Sequence, residues 1–431
     1  MTTTRRHFLK CSGISIAAAL GTTSGTFAAA EDRSATGSAM LGLPARSVFP
    51  GVEGRVFLNS AATHPWGVHA AEATKKYTDE RLAGRDVFAD AAGKFAQLVN
   101  ADPENVTYVP STSMGEYLVT RSLGLPQSGG RVVTDALHFV GSFYMYEQYR
   151  KQGLDVVTVP MDEHYRITPE GLEQAIVSGT KLVAISHVSL YNGFTHDLRA
   201  VCDLAHSRGA LVYVDLIQSA GAIPVDLKGS GVDFAACGTY KWLMGDFGFA
   251  FLYVRKELLP KLERPWLGYF QTNNFAAPQL HVYPMDPPGP VPYESSQKNT
   301  VGGYFSGALP ALGPQNACAA SLDWIQSVGV SAIDTYRQPM LSALQKGLRE
   351  KGFLVVTPPE TRAPIVTFAY KDASRLAPRL AAAKVEITLR ANHARISPSV
   401  FNTMSDIHTF LAAIGTPQIN HRGRGFGVSD I

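Results

Sequence analysis

The chain has 431 residues, of which 45% are hydrophobic and 17% charged, as in ordinary globular proteins. One hydrophobic core rarely serves so long a chain, so we expect one large domain and one smaller domain. No long uncharged apolar run follows residue 30, and the composition therefore argues against a membrane span in the mature protein.

The first 30 residues are predicted to be a targeting segment. Arg5 and Arg6 precede Phe8, an apolar run follows at 13–20, and three alanines end at Ala30. This order is typical of a twin-arginine signal, so we expect recognition by the Tat export machinery, cleavage near Ala30 and a periplasmic location. A basic N-terminus without a signal is the alternative.

Cleavage would remove three basic residues and no acidic one, which lowers the formal net charge from +3 to 0. The mature chain then has no basic excess for nucleic acid or anionic membranes. Cys202, Cys237 and Cys318 remain, too few for a disulfide framework and without zinc-like spacing. The twelve histidines form no His-Glu-x-x-His motif, so we predict no metal site.

Short runs rich in valine, isoleucine and leucine alternate with longer helical segments. They predict strands at 106–109, 131–134, 156–159, 182–186, 211–215 and 234–237. Continuously apolar strands separated by helices favour a mostly parallel sheet with helices on both faces, an α/β fold. The run 248–254 follows the previous strand too closely for a helical crossover, which predicts an antiparallel strand.

The later part of the chain suggests how the domains are arranged. A proline-rich segment at 284–292 cannot form a helix or a central strand, and it marks an active-site loop or a domain edge. We predict a large domain at 31–300, a connecting helix at 301–329 that includes an Ala-rich helix from 307 to 328, and a small α+β domain at 330–414. A flexible, glycine-rich tail is expected at 415–431.

Lys241 and Asp215 give the clearest chemical signal. Asp215 ends the strand-like run 211–215, and Gln218 follows three residues later. A lysine can form an imine with an aldehyde cofactor, and a carboxylate can keep a pyridine nitrogen protonated so that the ring withdraws electrons. The pair suggests a pyridoxal-phosphate enzyme, although each residue alone is also compatible with a surface lysine or a helix cap.

Thr112 and Ser113 are candidate phosphate ligands. They lie between the strand 106–109 and the helical run 116–123, where hydroxyls and free backbone N–H groups meet at a helix start. An ordinary N-cap would give the same pattern. The order Ser111-x-Ser113-x-Gly115 also approaches a nucleophile elbow, which would make Ser113 the nucleophile of a serine hydrolase, but the first glycine is missing.

Four blocks resemble the class V aminotransferase superfamily of fold-type I pyridoxal-phosphate enzymes. They are Val-Asp-Leu-Ile-Gln-Ser-Ala-Gly at 214–221, Pro-Val-Asp-Leu at 224–227, Gly-Val-Asp-Phe at 231–234 and Tyr-Lys-Trp-Leu-Met-Gly at 240–245. That superfamily includes cysteine desulfurases, kynureninase and isopenicillin N epimerase-like proteins. The resemblance, which spans about 57–411, implies Lys241 as the imine lysine, Asp215 on the pyridine nitrogen and Gln218 beside the phenolic oxygen.

Other positions follow from the same resemblance. Phe139 falls where an aromatic ring or a histidine stacks on the cofactor, with His138 as its rival. Tyr240 stands where many members have histidine. Kynureninase-like members also have tyrosine at this position, and the Tyr240 hydroxyl could reach the phosphate. Ser189 is the best match for an asparagine near the cofactor oxygen. Arg395 matches the arginine that binds the substrate carboxylate through a bidentate guanidinium contact.

The resemblance also implies a homodimer in which Thr300 reaches the partner's cofactor phosphate, although a plain turn before a helix would look the same. No cysteine follows Cys318, which disfavours the desulfurase route. We therefore expect a PLP-dependent enzyme acting on the amino group of an amino acid or peptide-terminal residue. Export narrows the resemblance to periplasmic members that tailor siderophore side chains. A C–S or C–C lyase, an epimerase and a non-catalytic binding protein are the alternatives.

Overall fold

A computed structural model describes residues 42–83, 88–273 and 296–417. Three predicted features lie wholly or partly outside these residues. They are the signal segment at 1–30, the proline-rich segment at 284–292 and the end of the predicted tail from 418 onward. No helix in the described part of the chain is both long and apolar enough to cross a membrane.

The central element is a seven-stranded sheet with the order β2-β8-β7-β6-β5-β3-β4. Its strands are β2 (Val106–Val109), β3 (Arg131–Asp135), β4 (Asp155–Val159), β5 (Thr180–Ser186), β6 (Leu211–Asp215), β7 (Phe234–Gly238) and β8 (Ala250–Val254). Within this sheet β8 is antiparallel to both neighbours, and the other strands run parallel to one another. The predicted α/β sheet and its antiparallel return are confirmed. Several strands are longer than predicted by one or two residues, whereas β8 begins at Ala250, two residues later than predicted.

Both faces of this sheet are buried. Along β6, Val212 and Val214 pack into one apolar cluster, whereas Tyr213 packs into the cluster on the opposite face. Such alternation follows from the two-residue repeat of a strand, and it explains why the central strands are mostly apolar. The polar residues Ser186 and Asp215 stand at the carboxyl ends of β5 and β6, at the edge where ligands bind in parallel sheets.

Helices cover the two faces of the sheet and continue into the C-terminal part. They are α1 (Val68–Glu80), α2 (Ala91–Leu98), α3 (Thr112–Ser122), α4 (Val140–Lys151), α5 (Pro169–Ala175), α6 (Leu198–Ser207), α7 (Leu227–Ser230), α8 (Val301–Phe305), α9 (Leu312–Val328), α10 (Val330–Glu350), α11 (Ala377–Ala382) and α12 (Met404–Ile414). The side chains of Ser111, Thr168 and Asp197 accept backbone N–H groups at helix starts.

The Ala-rich helix predicted at 307–328 begins later than expected. Helix α9 starts at Leu312 because Pro310 disfavours a helical conformation at the residue before it. The predicted start of this helix at residue 307 was therefore wrong by five residues.

The C-terminal part contains a four-stranded antiparallel sheet with the order β12-β13-β10-β9. Its strands are β9 (Leu354–Val355), β10 (Val366–Ala369), β12 (Thr388–Leu389) and β13 (His393–Ile396), and a short pair joins β1 (Val56–Phe57) to β11 (Val385–Glu386). Helices α10 and α12 pack with this sheet around Leu344, Phe368 and Phe410. The predicted domain boundaries stay predictions.

Candidate functional site

Lys241 lies in the tight turn that follows β7. Met244, at a left-handed φ of 56°, donates its N–H to the Lys241 carbonyl oxygen over 2.8 Å. The Lys241 side chain is only 8% exposed, and its amine makes no hydrogen bond or ion pair with the described residues. Burial lowers the pKa of Lys241 to about 8. The negative charge of Asp215 acts to raise this pKa, whereas the positive charge of Arg395 acts to lower it. An amine of this kind is available as a nucleophile or base near neutral pH.

Asp215 is buried at the end of β6. Its Oδ1 accepts the Ile217 backbone N–H at 2.8 Å. Burial raises the pKa of Asp215 to about 6, while the Ile217 hydrogen bond, His138 and Lys241 favour the carboxylate form. The sheet and the turn after β7 thus place the Asp215 carboxylate and the Lys241 amine near enough for each charge to shift the other's pKa.

Gln218 is fixed to the turn that carries Lys241. The indole Nε1 of Trp242 donates to Gln218 Oε1 at 2.9 Å, and Gln218 Nε2 donates to the Ala61 carbonyl at 3.1 Å. A side-chain amide has two N–H donors, so one remains for another acceptor. This arrangement suits the predicted contact with a phenolic oxygen.

The predicted phosphate turn contacts the end of β7. Thr112 Oγ1 accepts the Gly238 backbone N–H at 2.8 Å, and an added Cβ at Gly238 would lie 2.9 Å from Ile217 Cδ1. Ser113 is exposed in the first turn of α3. The N–H groups of Thr112 and Ser113 have no acceptor within the helix because they belong to its first turn, so they suit an anion.

The alternative assignment of Ser113 as a hydrolase nucleophile gains no support. Among residues 42–83, 88–273 and 296–417, no histidine or aspartate is hydrogen-bonded to Ser113. Ser111, which stands where a nucleophile elbow has its first glycine, accepts the Met114 N–H as an ordinary helix cap.

Arg395 is a buried cation on β13. Its Nη1 donates to the Leu190 carbonyl and its Nη2 to Thr388 Oγ1, both at 3.1 Å, while its Nε is buried without a partner. Burial, reinforced by Arg390, lowers the pKa of Arg395 to about 10. No carboxylate of the described residues pairs with it, and an unpaired buried guanidinium is suited to an anionic ligand.

His138 and Phe139 differ in exposure. His138 is fully buried, and its Nδ1 and Nε2 lie 2.9 Å from Ser186 Oγ and 3.1 Å from Glu116 Oε1. Phe139 is half-buried at the start of α4, against Gly141. A stacking ring must present an open face to the cofactor, so the exposure favours Phe139 over His138.

Three further candidates make local contacts. Tyr240 stacks on Phe247 with ring centroids 4.2 Å apart, close to the Lys241 amine. The buried Ser189 Oγ accepts the Tyr191 N–H at 3.2 Å, and the exposed Thr300 caps α8 by accepting the Gly303 N–H. Their roles toward the cofactor stay predictions, as does the homodimer that Thr300 would serve.

The sequence did not indicate the part played by segment 59–64. Asn59 Oδ1 accepts from Thr388 Oγ1 at 2.6 Å, and Thr388 in turn accepts from Arg395. Ala61 accepts from Gln218 and donates its N–H to Ser397 Oγ at 2.9 Å. These bonds join the candidate substrate arginine to the candidate cofactor glutamine. The bonds from Asn59 to Thr388 and from Ala61 to Ser397 each connect positions more than 300 residues apart, which no local pattern reveals.

The side chains fit pyridoxal 5'-phosphate. Asp215 would hold the ring nitrogen, Gln218 the phenolic oxygen, and the first turn of α3 the phosphate. The unpaired Nε of Arg395 and the amine of Lys241 are buried polar groups that a charged ligand would satisfy.

Comparisons with known proteins agree with this arrangement. The family described as Aminotransferase class-V matches residues 67–411. The uncharacterized aminotransferase YcbU of Bacillus subtilis (strain 168) is 27% identical over 392 residues, which are 87% of this chain and 98% of that protein. A kynureninase of Pseudomonas fluorescens is 33% identical over 193 residues, which are 43% of this chain and 45% of that protein.

Solved structures show the same fold. The apo structure of a cysteine desulfurase from Thermococcus onnurineus NA1 has a TM-score of 0.75 and 22% identity, covering 86% of this chain and 97% of that chain. The cysteine desulfurase CsdA from Escherichia coli has a TM-score of 0.74 and 21% identity with the same coverage. The chain therefore belongs to the class V aminotransferase family and is a pyridoxal-phosphate-dependent enzyme of fold type I.

Proposed function

We propose that this enzyme acts on the amino group of an amino acid or of the terminal residue of a peptide. The observation that carries the proposal is the placement of an unpaired Lys241 amine, with its pKa lowered to about 8, in the field of Asp215 and Arg395. Bound pyridoxal phosphate supplies the electron sink for carbanion chemistry. Lys241 moves a proton at the substrate α-carbon, Asp215 holds the ring nitrogen and Arg395 binds a substrate carboxylate.

A C–S or C–C lyase is the second candidate, favoured by relatives named as cysteine desulfurases and kynureninases. The thiols argue against desulfuration by a protein cysteine. Cys202, Cys237 and Cys318 are all buried, and burial raises the pKa of each thiol, to about 12 for Cys202. A buried thiol held in its neutral form is a poor nucleophile.

Product analysis separates the two candidates. The purified, cofactor-loaded enzyme is incubated with amino acids and short peptides, together with a keto acid other than pyruvate that can accept the amino group, and the products are identified by mass spectrometry. Amino-group chemistry gives a keto acid, or a product derived from one, with the carbon skeleton intact. Pyruvate, alanine or a released thiol formed from a substrate other than alanine would instead establish a lyase, and no turnover of any amine by loaded enzyme would contradict the proposal.

We expect Arg395→Gln to raise KM for an amino acid by about 10²-fold, because truncating one partner of a buried charge pair costs about 3 kcal/mol. The amide of the same amino acid lacks the carboxylate, so its KM should change little. Arg390→Gln is the matched control, since Arg390 is an exposed neighbour of the same charge. Equal losses for acid and amide in Arg395→Gln would contradict the assignment.

We also propose that the enzyme is exported and works in the periplasm on a siderophore side chain. Support comes from the N-terminal Arg-Arg-x-Phe-Leu-Lys sequence, the chain length and the Tyr-Lys-Trp-Leu block, which together resemble the pyoverdine-tailoring enzyme PvdN. We expect replacement of Arg5 and Arg6 by lysine to retain the full-length protein in the cytoplasm, as measured by fractionation and immunoblotting. Unchanged periplasmic recovery of the variant would exclude twin-arginine export.

A further inference from the structure

Glu116 is a buried carboxylate beside the candidate site. It lies on α3, and its Oε1 accepts from His138 Nε2 at 3.1 Å and from the Tyr146 hydroxyl at 2.7 Å. Its Oε2 accepts from Ser142 Oγ at 2.5 Å. Burial disfavours the charge of Glu116, but His138 and these hydrogen bonds overcome it and lower its pKa. Three donors to one carboxylate stabilise its ionised form.

His138 connects this carboxylate to the strand that carries Asp215. Its Nδ1 lies 2.9 Å from Ser186 Oγ, and Ser186 is the direct partner of Asp215 in the pairing of β5 with β6. Burial favours the neutral imidazole, but the charges of Glu116, Asp135 and Asp215 face the ring and together raise the pKa of His138. The contact of Nε2 with the Glu116 carboxylate and the charges of the three nearby carboxylates therefore favour the imidazolium form of His138.

Both His138 and Glu116, which we call the His138–Glu116 pair, shift the pKa of Asp215. Burial opposes its ionisation, the positive charges of His138 and Lys241 favour it, and the negative charge of Glu116 opposes it. The attraction to His138 outweighs the repulsion from Glu116, so the pair as a whole stabilises the Asp215 carboxylate. Lys241 cannot supply this charge permanently, because its amine becomes neutral when it reacts.

We propose that His138, held in its charged form by Glu116, is a positioning residue that keeps Asp215 ionised for the ring nitrogen of the cofactor. The proposal rests on the function proposed above. It gives His138 a role other than the ring stacking for which the sequence left it as the rival of Phe139, and it gives Glu116 its first role. Neither side chain needs to touch the substrate or the cofactor.

The pair is tested first without the cofactor, in the full mature chain. With ¹⁵N-labelled histidine, NMR of the wild type should show the His138 imidazolium at pH 7, assigned by its loss in His138→Gln. The Glu116→Gln variant should show a neutral ring. With ¹³C-labelled aspartate, the pKa of Asp215, assigned by Asp215→Asn, should rise by about one unit in His138→Gln.

Tyr146→Phe is the matched control, because it removes one hydrogen bond to Glu116 but keeps both charges. It should leave the pKa of Asp215 unchanged. A neutral His138 in the wild type, or an Asp215 pKa that neither His138→Gln nor Glu116→Gln raises, would overturn the proposal. If His138→Gln fails to fold, His138→Asn replaces it for both the assignment and the pKa measurement.

Binding of pyridoxal phosphate, followed by visible absorbance against pH, supplies the functional readout. In His138→Gln the acidic limit of binding should move up by about one pH unit, which weakens binding about tenfold at a pH on that limb. If the acidic limit of cofactor binding does not move in His138→Gln, the proposed role of His138 is overturned. Failure of the wild type to bind the cofactor would instead contradict the proposed function, and the NMR measurements would still decide whether the charged pair exists.

Discussion

Lys241→Ala is expected to abolish covalent retention of pyridoxal phosphate and to lower kcat by about 10³-fold, the usual contribution of a positioned acid–base group. The wild-type amine makes no bond with the described residues and has its pKa lowered to about 8, so it combines nucleophilic and basic character. Borohydride treatment, tryptic digestion and mass spectrometry should find the cofactor fixed on Lys241 in the wild type and absent from that peptide in the variant.

Lys228→Ala is the control for this experiment, because Lys228 is an exposed lysine of the same sheet domain whose amine pairs with Asp102. It should retain colour, covalent trapping and activity. Trapping on another lysine in the wild type, or full activity of Lys241→Ala, would refute the assignment of Lys241.

Asp215→Asn is expected to lower kcat/KM by about 10²–10³-fold and, at the same time, to stabilise the cofactor-free protein. Asparagine cannot keep a ring nitrogen protonated, so a preorganised charge is lost from the reaction. The stability effect has a different origin. Burial raises the pKa of Asp215 to about 6 in the folded protein, above its usual value of about 4 in an unfolded chain.

Between these two pKa values the folded wild type binds more protons than the unfolded chain, so its stability falls as the pH rises from about 4 to 6. Above pH 6 the ionised carboxylate costs about 3 kcal/mol relative to its protonated form, which asparagine resembles. The free energy of unfolding of Asp215→Asn should therefore be about 3 kcal/mol higher than that of the wild type at pH 8, and nearly equal to it at pH 4.

Urea unfolding of the cofactor-free proteins at both pH values measures this difference. Asp203→Asn serves as the control because Asp203 is an exposed aspartate on α6. A destabilised Asp215→Asn at pH 8 would mean that Asp215 contributes more to the fold through hydrogen bonding than it costs through burial. Unchanged kcat/KM would exclude its contact with the ring nitrogen.

The sequence alone determined the strands of the sheet, and it predicted Asp215 and Lys241 as the residues that hold and react with the cofactor. Strands β2 to β6 were evident as short runs rich in valine, isoleucine and leucine, and β7 as the apolar run Phe-Ala-Ala-Cys. Asp215 ends β6 and Lys241 follows three residues after β7, near the edge where the carboxyl ends of parallel strands form binding sites.

Only the tertiary structure decided which side chains support them. Arg395 meets Leu190, Thr388 and the segment around Asn59 through bonds between distant parts of the chain. The sequence left Phe139 and His138 as rivals for the stacking ring, and folding buries His138 between Glu116 and Ser186. Local patterns report on burial and backbone geometry, whereas the charge state of a buried group depends on which distant groups the fold places around it.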